Sequence, residues 1–152
     1  MNEQSILDAT TVADVMHKGV VTCSLHAPMT DVARKMATHR IHCVVVWNEP
    51  ARNETAELWG VVSDLDLVKV ATTEDLSART AGESAASPPL MVTTDETLER
   101  AAQMMAEHEM THLVVVDPST KKPVGVLSTL DVAAVLGGVG QLVVPWSGWR
   151  SR

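Results

Sequence analysis

Gly60-Val61-Val62-Ser63-Asp64-Leu65-Asp66 returns 65 residues later as Gly125-Val126-Leu127-Ser128-Thr129-Leu130-Asp131. Both stretches read as a glycine-led apolar strand that turns directly into a helix opened by Ser-x-x-Asp. A repeat inside a chain of 152 residues governs the fold, because each copy must be one unit of the same architecture. The phrase also places a hydroxyl and a carboxylate at a helix N-terminus twice. Backbone N–H groups and the helix dipole favour anions at such a position.

Upstream of the phrase the match continues. Met36-Ala37-Thr38-His39-Arg40-Ile41 aligns with Met105-Ala106-Glu107-His108-Glu109-Met110, and Val44-Val45-Val46-Trp47 with Leu113-Val114-Val115-Val116. Farther back, Met29 meets Leu98, Ala33 meets Ala102, and Thr11-x-x-Asp14 meets Thr80-x-x-Glu83, all at an offset of 69. The first copy therefore carries four extra residues. They fall in the polar run Asn48 to Ala56, a loop by composition. The second copy bridges the same gap with Asp117-Pro118-Ser119-Thr120-Lys121-Lys122-Pro123, a tighter turn.

Each copy reads in the same order. A short helical turn capped by Thr11 or Thr80 comes first. Apolar strands follow at Val20 to Cys23 and Leu90 to Thr93. Next come helices with one apolar face, Met29, Val32, Ala33 and Met36 in one and Leu98, Ala101, Ala102 and Met105 in the other. Pro28 suits the first turn of the former and Asp95 is the expected cap of the latter. His39 and His108 fall at the helix ends, where a partly cationic ring suits the dipole. Two apolar strands and the Ser-x-x-Asp helix complete the unit, and Gly137-Gly138 stops the last helix. The expected organisation is a lead at 1–10, repeat 1 at 11–72, a linker at 73–79, repeat 2 at 80–137 and a tail at 138–152. The tail holds Leu142-Val143-Val144-Pro145-Trp146, apolar enough to cover a sheet edge or dock on a second subunit, with a frayed chain end as the equally weighted alternative.

Composition narrows the function. A formal net charge of −7 argues against general binding to nucleic acid or an anionic membrane. No run approaches the roughly 18 apolar residues of a membrane helix, and no signal-peptide pattern opens the chain. Two cysteines, Cys23 and Cys43, make no disulfide framework and read as reduced thiols of a cytoplasmic protein. With no Phe or Tyr, the core falls to Val, Leu, Met and Ala. Each repeat alone is short for a full core, so mutual packing is expected to complete it.

The order Val12-x-Asp14-Val15-Met16, Val20-Val21-Thr22, Met36-Ala37-x-His39-x-Ile41, Val44-Val45-Val46 and Gly60-Val61-Val62-Ser63-x-x-Asp66 resembles a CBS domain. The second copy resembles its tandem partner, so the pair looks like a Bateman module over about Thr11 to Leu136. The resemblance implies an α/β (α+β) fold of two β-α-β-β-α repeats related by a pseudo-twofold axis, their sheets packed together with clefts between them. It implies a regulatory module and no enzyme, a homodimer of disc shape, and a regulated protein partner. No cofactor is required. The implied ligand is adenosine-containing: AMP, ADP, ATP, S-adenosylmethionine or NAD.

In the family the motif Asp accepts from ribose hydroxyls and the Ser donates to phosphate. Here these are Asp66 and Ser63, and Asp131 and Ser128. An ionised carboxylate is acceptor-only and can hold two vicinal hydroxyls. The resemblance assigns adenine to Val21 and Val45, or Leu90 and Val114, with Gly19 alongside, and phosphate to His42-Cys43 and Thr111-His112. Several relatives carry Arg where this chain has Cys43 and His112, so tight triphosphate binding is not expected unless Arg40 or Lys18 substitutes. Ala85 replaces Met16, and Pro88-Pro89 enter the second copy's first strand, so the two clefts are expected to differ.

Plainer readings compete. Each Ser-x-x-Asp is also a capping box, and capping alone explains it. A module with empty clefts, built for dimerisation or scaffolding, has the same sequence. Cys23, His26, His39, His42 and Cys43 invite a metal, yet alternating strand positions scatter them and no pair has zinc-finger spacing. No nucleophile–base pair supports an enzyme.

Overall fold

The computed structural model describes residues 2–49 and 55–139. In chain order the elements begin with α1 (Glu3–Ala9), α2 (Val12–Val15), β1 (His17–Lys18), β2 (Thr22–Ser24), α3 (Met29–His39), β3 (Cys43–Asn48), β4 (Glu57–Ser63) and α4 (Asp64–Ala71). After a 3-10 turn at Leu76–Ala78 come α5 (Ala81–Ser84), β5 (Met91–Thr93), α6 (Leu98–His108), β6 (His112–Val116), β7 (Pro123–Ser128) and α7 (Thr129–Leu136). The expected β-α-β-β-α order is present twice. The mixed α/β class holds, with two separate sheets.

Two compact units make up the described chain, and each draws on both sequence repeats. One joins residues 2–20 to 90–139, and the other is residues 21–89. In the latter, β2 runs parallel to β3 and β3 antiparallel to β4. Its core gathers Cys23, Met29, Val32, Met36, Val44, Val46, Val62 and Ala81. The apolar stripe of α3 meets alternate residues of β3 because a helix repeats every three to four residues and a strand every two. The other unit repeats the plan with β5, β6 and β7. Its core is Val12, Val92, Leu98, Ala101, Met105, Leu113, Val115, Leu127 and Val132.

The same backbone contacts join the exchanged segments in both units. The Val12 N–H donates to the Glu96 carbonyl at 2.9 Å and the Leu98 N–H to that of Thr10 at 2.8 Å. In the second unit the Ala81 N–H donates to Ala27 at 2.8 Å and the Met29 N–H to Arg79 at 2.9 Å. β1 then pairs antiparallel with β7, His17 opposite Val126. The counterpart is a single bridge between Ala86 and Val61. These crossings explain the glycine of the repeated phrase. A Cβ at Gly125 would collide with the His17 carbonyl, and one at Gly60 with that of Ala86.

Several local expectations change. The first strands are shorter than read, Thr22–Ser24 and Met91–Thr93. Val21 and Leu90 still offer their carbonyls to the Val45 and Val114 N–H groups. Thr97, not Asp95, caps α6: its hydroxyl accepts from the Arg100 N–H at 3.2 Å. Asp95 instead accepts from the Thr93 hydroxyl at 2.6 Å, closing the preceding turn. α1 was not foreseen; it buries no residue, so it lacks the apolar stripe that marks a helix in a sequence. His39 and His108 do end their helices, each followed by a left-handed residue, Arg40 and Glu109, both at φ 52°. The extra loop is described only outside residues 50–54, and the tail segment Leu142 to Trp146 lies outside the described residues.

Candidate functional site

β4 delivers Ser63 to the first turn of α4 in extended conformation, and β7 delivers Ser128 to α7 in the same way. The Ser63 hydroxyl accepts from the Asp66 N–H at 3.2 Å, while Asp66 Oδ2 accepts from the Ser63 N–H at 2.8 Å and its hydroxyl at 2.9 Å. In the second copy the corresponding distances are 3.3, 2.7 and 3.0 Å. Both capping boxes are therefore complete, with each serine proton directed at its own aspartate. For a ligand phosphate to receive that proton, the hydroxyl must turn away from the carboxylate.

The remaining oxygen separates the copies. Asp66 is half-buried, and its Oδ1 has no partner among the described residues. Asp131 is only 3 % exposed, and its Oδ1 lies 2.8 Å from His17 Nε2. A carboxylate only accepts, so His17 Nε2 carries the proton in this contact. His17 thus joins the motif cluster of the second copy, although the sequence reading did not single it out. The available signal was the offset of 69, which sets His17 against Ala86.

The expected phosphate-facing positions also diverge. His42 is exposed, and its Nδ1 lies 2.8 Å from Asp64 Oδ2 at the start of α4. In the second copy Thr129 replaces that acid, and the Thr111 hydroxyl lies 2.9 Å from Nδ1 of the buried His112. Val45 and Val114 are buried, yet neither joins the helix-facing core; they occupy the opposite face of β3 and β6 from Val44, Val46, Leu113 and Val115. Val21 and Leu90 lead into the paired strands and are half-buried. Gly19 sits at φ +86°, its N–H donating to Val124 at 2.8 Å. Lys18 and Arg40 are exposed.

Cys23 and Cys43 are free and buried. Loss of solvation pushes the Cys23 thiol up to about 11 and the Cys43 thiol to about 12. Such thiols stay protonated near neutrality and are poor nucleophiles or metal ligands. Among the described residues no three His, Cys, Asp or Glu side chains converge as a metal site. None of the described helices is long and apolar enough to cross a membrane.

A family model described as "CBS domain" matches residues 12–72 and 82–138. Hypoxic response protein 1 of Mycobacterium tuberculosis is 28% identical over 82% of this chain and 83% of its own. A Hypoxic Response Protein I structure with two coordinated zinc ions is 26% identical, with a TM-score of 0.64 over 82% of this chain and 97% of that one. CBSX2 in complex with AMP is 25% identical, with a TM-score of 0.63 over 86% and 98% of the two chains. A CBS domain pair solved with 5′-methylthioadenosine and S-adenosyl-L-methionine, at 21% identity, shares the fold with a TM-score of 0.73 over 86% and 98%.

Proposed function

The chain belongs to the CBS domain family, and we propose that it is a regulatory module that binds an adenosine-containing ligand and modulates a partner protein or its own dimer. The observation that carries this is the doubled capping box with one carboxylate oxygen still available, Asp66 Oδ1, beside a helix N-terminus. Vicinal ribose hydroxyls are the donors such an oxygen suits. AMP in the CBSX2 complex, a structure 25% identical, supports the ligand class. Of the family positions, Ser63, Asp66, Val21, Val45 and His42 serve the first copy, and Leu90, Thr111, His112, Val114, Ser128 and Asp131 belong to the second.

Two acids, Asp64 and Asp66, stand in the first turn of α4. That charge repels a triphosphate more than the less charged AMP, and favours the cationic S-adenosylmethionine. Exposed Leu65 and Val68 on α4 and Leu130 on α7, each more than half exposed, support association with another copy. Protonated, buried thiols suit a reducing cytoplasm.

Thermal shift against AMP, ATP, NAD and S-adenosylmethionine tests the reading. A ligand at a hundred times its Kd adds about 2.7 kcal/mol to the folded state, and Asp66→Ala should remove the response. No shift with any of the four would overturn it. That each motif is fully accounted for as a helix cap favours a second reading, a dimerisation scaffold, under which Asp66→Ala lowers stability and changes nothing else.

A further inference from the structure

The two repeats present the same backbone to their Ser-x-x-Asp helix but different side chains. In one unit His17 lies opposite Val126 in the β1–β7 ladder, and in the other Ala86 lies opposite Val61. These pairs are equivalent by the offsets of 69 and 65 that relate the copies. The side chain following that path reaches the motif carboxylate at 2.8 Å where it is an imidazole. Where it is the methyl of Ala86 it supplies no donor.

We infer that His17 is a built-in competitor for the second repeat's motif carboxylate, so that the resting chain has one ribose-binding carboxylate, Asp66, and a second, Asp131, held in reserve. This rests on the nucleotide-binding reading above. Asp131 directs Oδ2 at the two Ser128 donors and Oδ1 at His17. It is nearly inaccessible, so ribose hydroxyls reach it only after the imidazole swings away. His17 itself keeps 23% of its side chain exposed. A ligand for the second repeat must therefore replace a hydrogen bond to a carboxylate before gaining its own, which weakens it by about tenfold or more. Asp66 asks nothing comparable of a ligand.

Calorimetric titration of the whole chain with AMP tests this. The wild type should bind one AMP per chain, lost in Asp66→Ala and retained in Asp131→Ala. His17→Ala should gain a second event that the His17→Ala, Asp131→Ala double variant lacks. His17→Gln, which keeps a side-chain N–H donor, should remain at one. If His17→Ala does not fold, Ala86→His supplies the reciprocal test: a histidine opposite Val61 should weaken the Asp66 event by about tenfold or more. Two equal events in the wild type, loss of binding in Asp131→Ala but not Asp66→Ala, or an unaltered Ala86→His would overturn the inference while leaving nucleotide binding intact. Absence of binding in every variant would overturn both.

Discussion

In the first repeat Asp66 holds Ser63 and, among the described residues, keeps one oxygen open; in the second Asp131 holds Ser128 and gives that oxygen to His17. The caps agree to about a tenth of an ångström between copies, and burial of the two carboxylates does not. Identical local motifs thus have different chemical availability. A helix cap is decided within four residues, whereas the competition for its carboxylate is decided by whichever distant segment crosses the strand. The neighbouring position differs the other way: Cys43 and His112 occupy equivalent places and are both buried, but only the imidazole brings ring nitrogens to it.

The comparison can be broken at the glycines. Gly60→Ala and Gly125→Ala each set a methyl against a crossing carbonyl, and overpacking against backbone costs roughly 1–3 kcal/mol or more. Urea unfolding should show similar large losses for the two variants. Tolerance of one alone would mean that its crossing segment is not held as its counterpart is.

A smaller difference should appear at the caps. Ser63→Ala and Ser128→Ala should each cost roughly 0.5–2 kcal/mol. The second should be the dearer, because Asp131 loses its hydroxyl donor in a buried site whereas solvent can reach Asp66. Equal midpoints in urea would remove burial as the distinction between them.

The smallest effect is on the leading turns. The Thr11 N–H, and secondarily its hydroxyl, hold the Asp14 carboxyl below its ordinary value of 3.8. A depressed folded value means stability that is present in full above 3.8 and lost as pH falls through the lowered folded value. Asp14→Asn should flatten that acid limb slightly, since the group is exposed and screened. In the second repeat Glu83 lies 3.3 Å from Arg79, so Glu83→Gln reports an ion pair instead. Matching acid limbs in the two variants would show that the leading turns are interchangeable.

Much of this was legible beforehand for a local reason. The periodicity of α3 and α6, the caps Ser63, Ser128 and Thr80, and the stop at Gly137 each depend on residues three or four apart. Local ambiguity misled where two hydroxyl or acid residues competed, as at Asp95 and Thr97. α1 escaped because a seven-residue helix with no fully buried position, only half-buried Ile6 and Leu7, the latter against the core, leaves no periodic trace. His17 escaped because nothing near it in the chain marks it; only pairing of β1 with β7 brings it to Asp131.

The sequence by itself determined the repeat, the order of elements and both capping boxes, since hydrophobic period and cap chemistry act over a single turn or strand. Tertiary structure alone decided which segments exchange between the repeats, why Gly60 and Gly125 have no side chain, and which motif carboxylate is already taken. Those outcomes depend on contacts between residues far apart in the chain, and their geometry exists only once both sheets have formed.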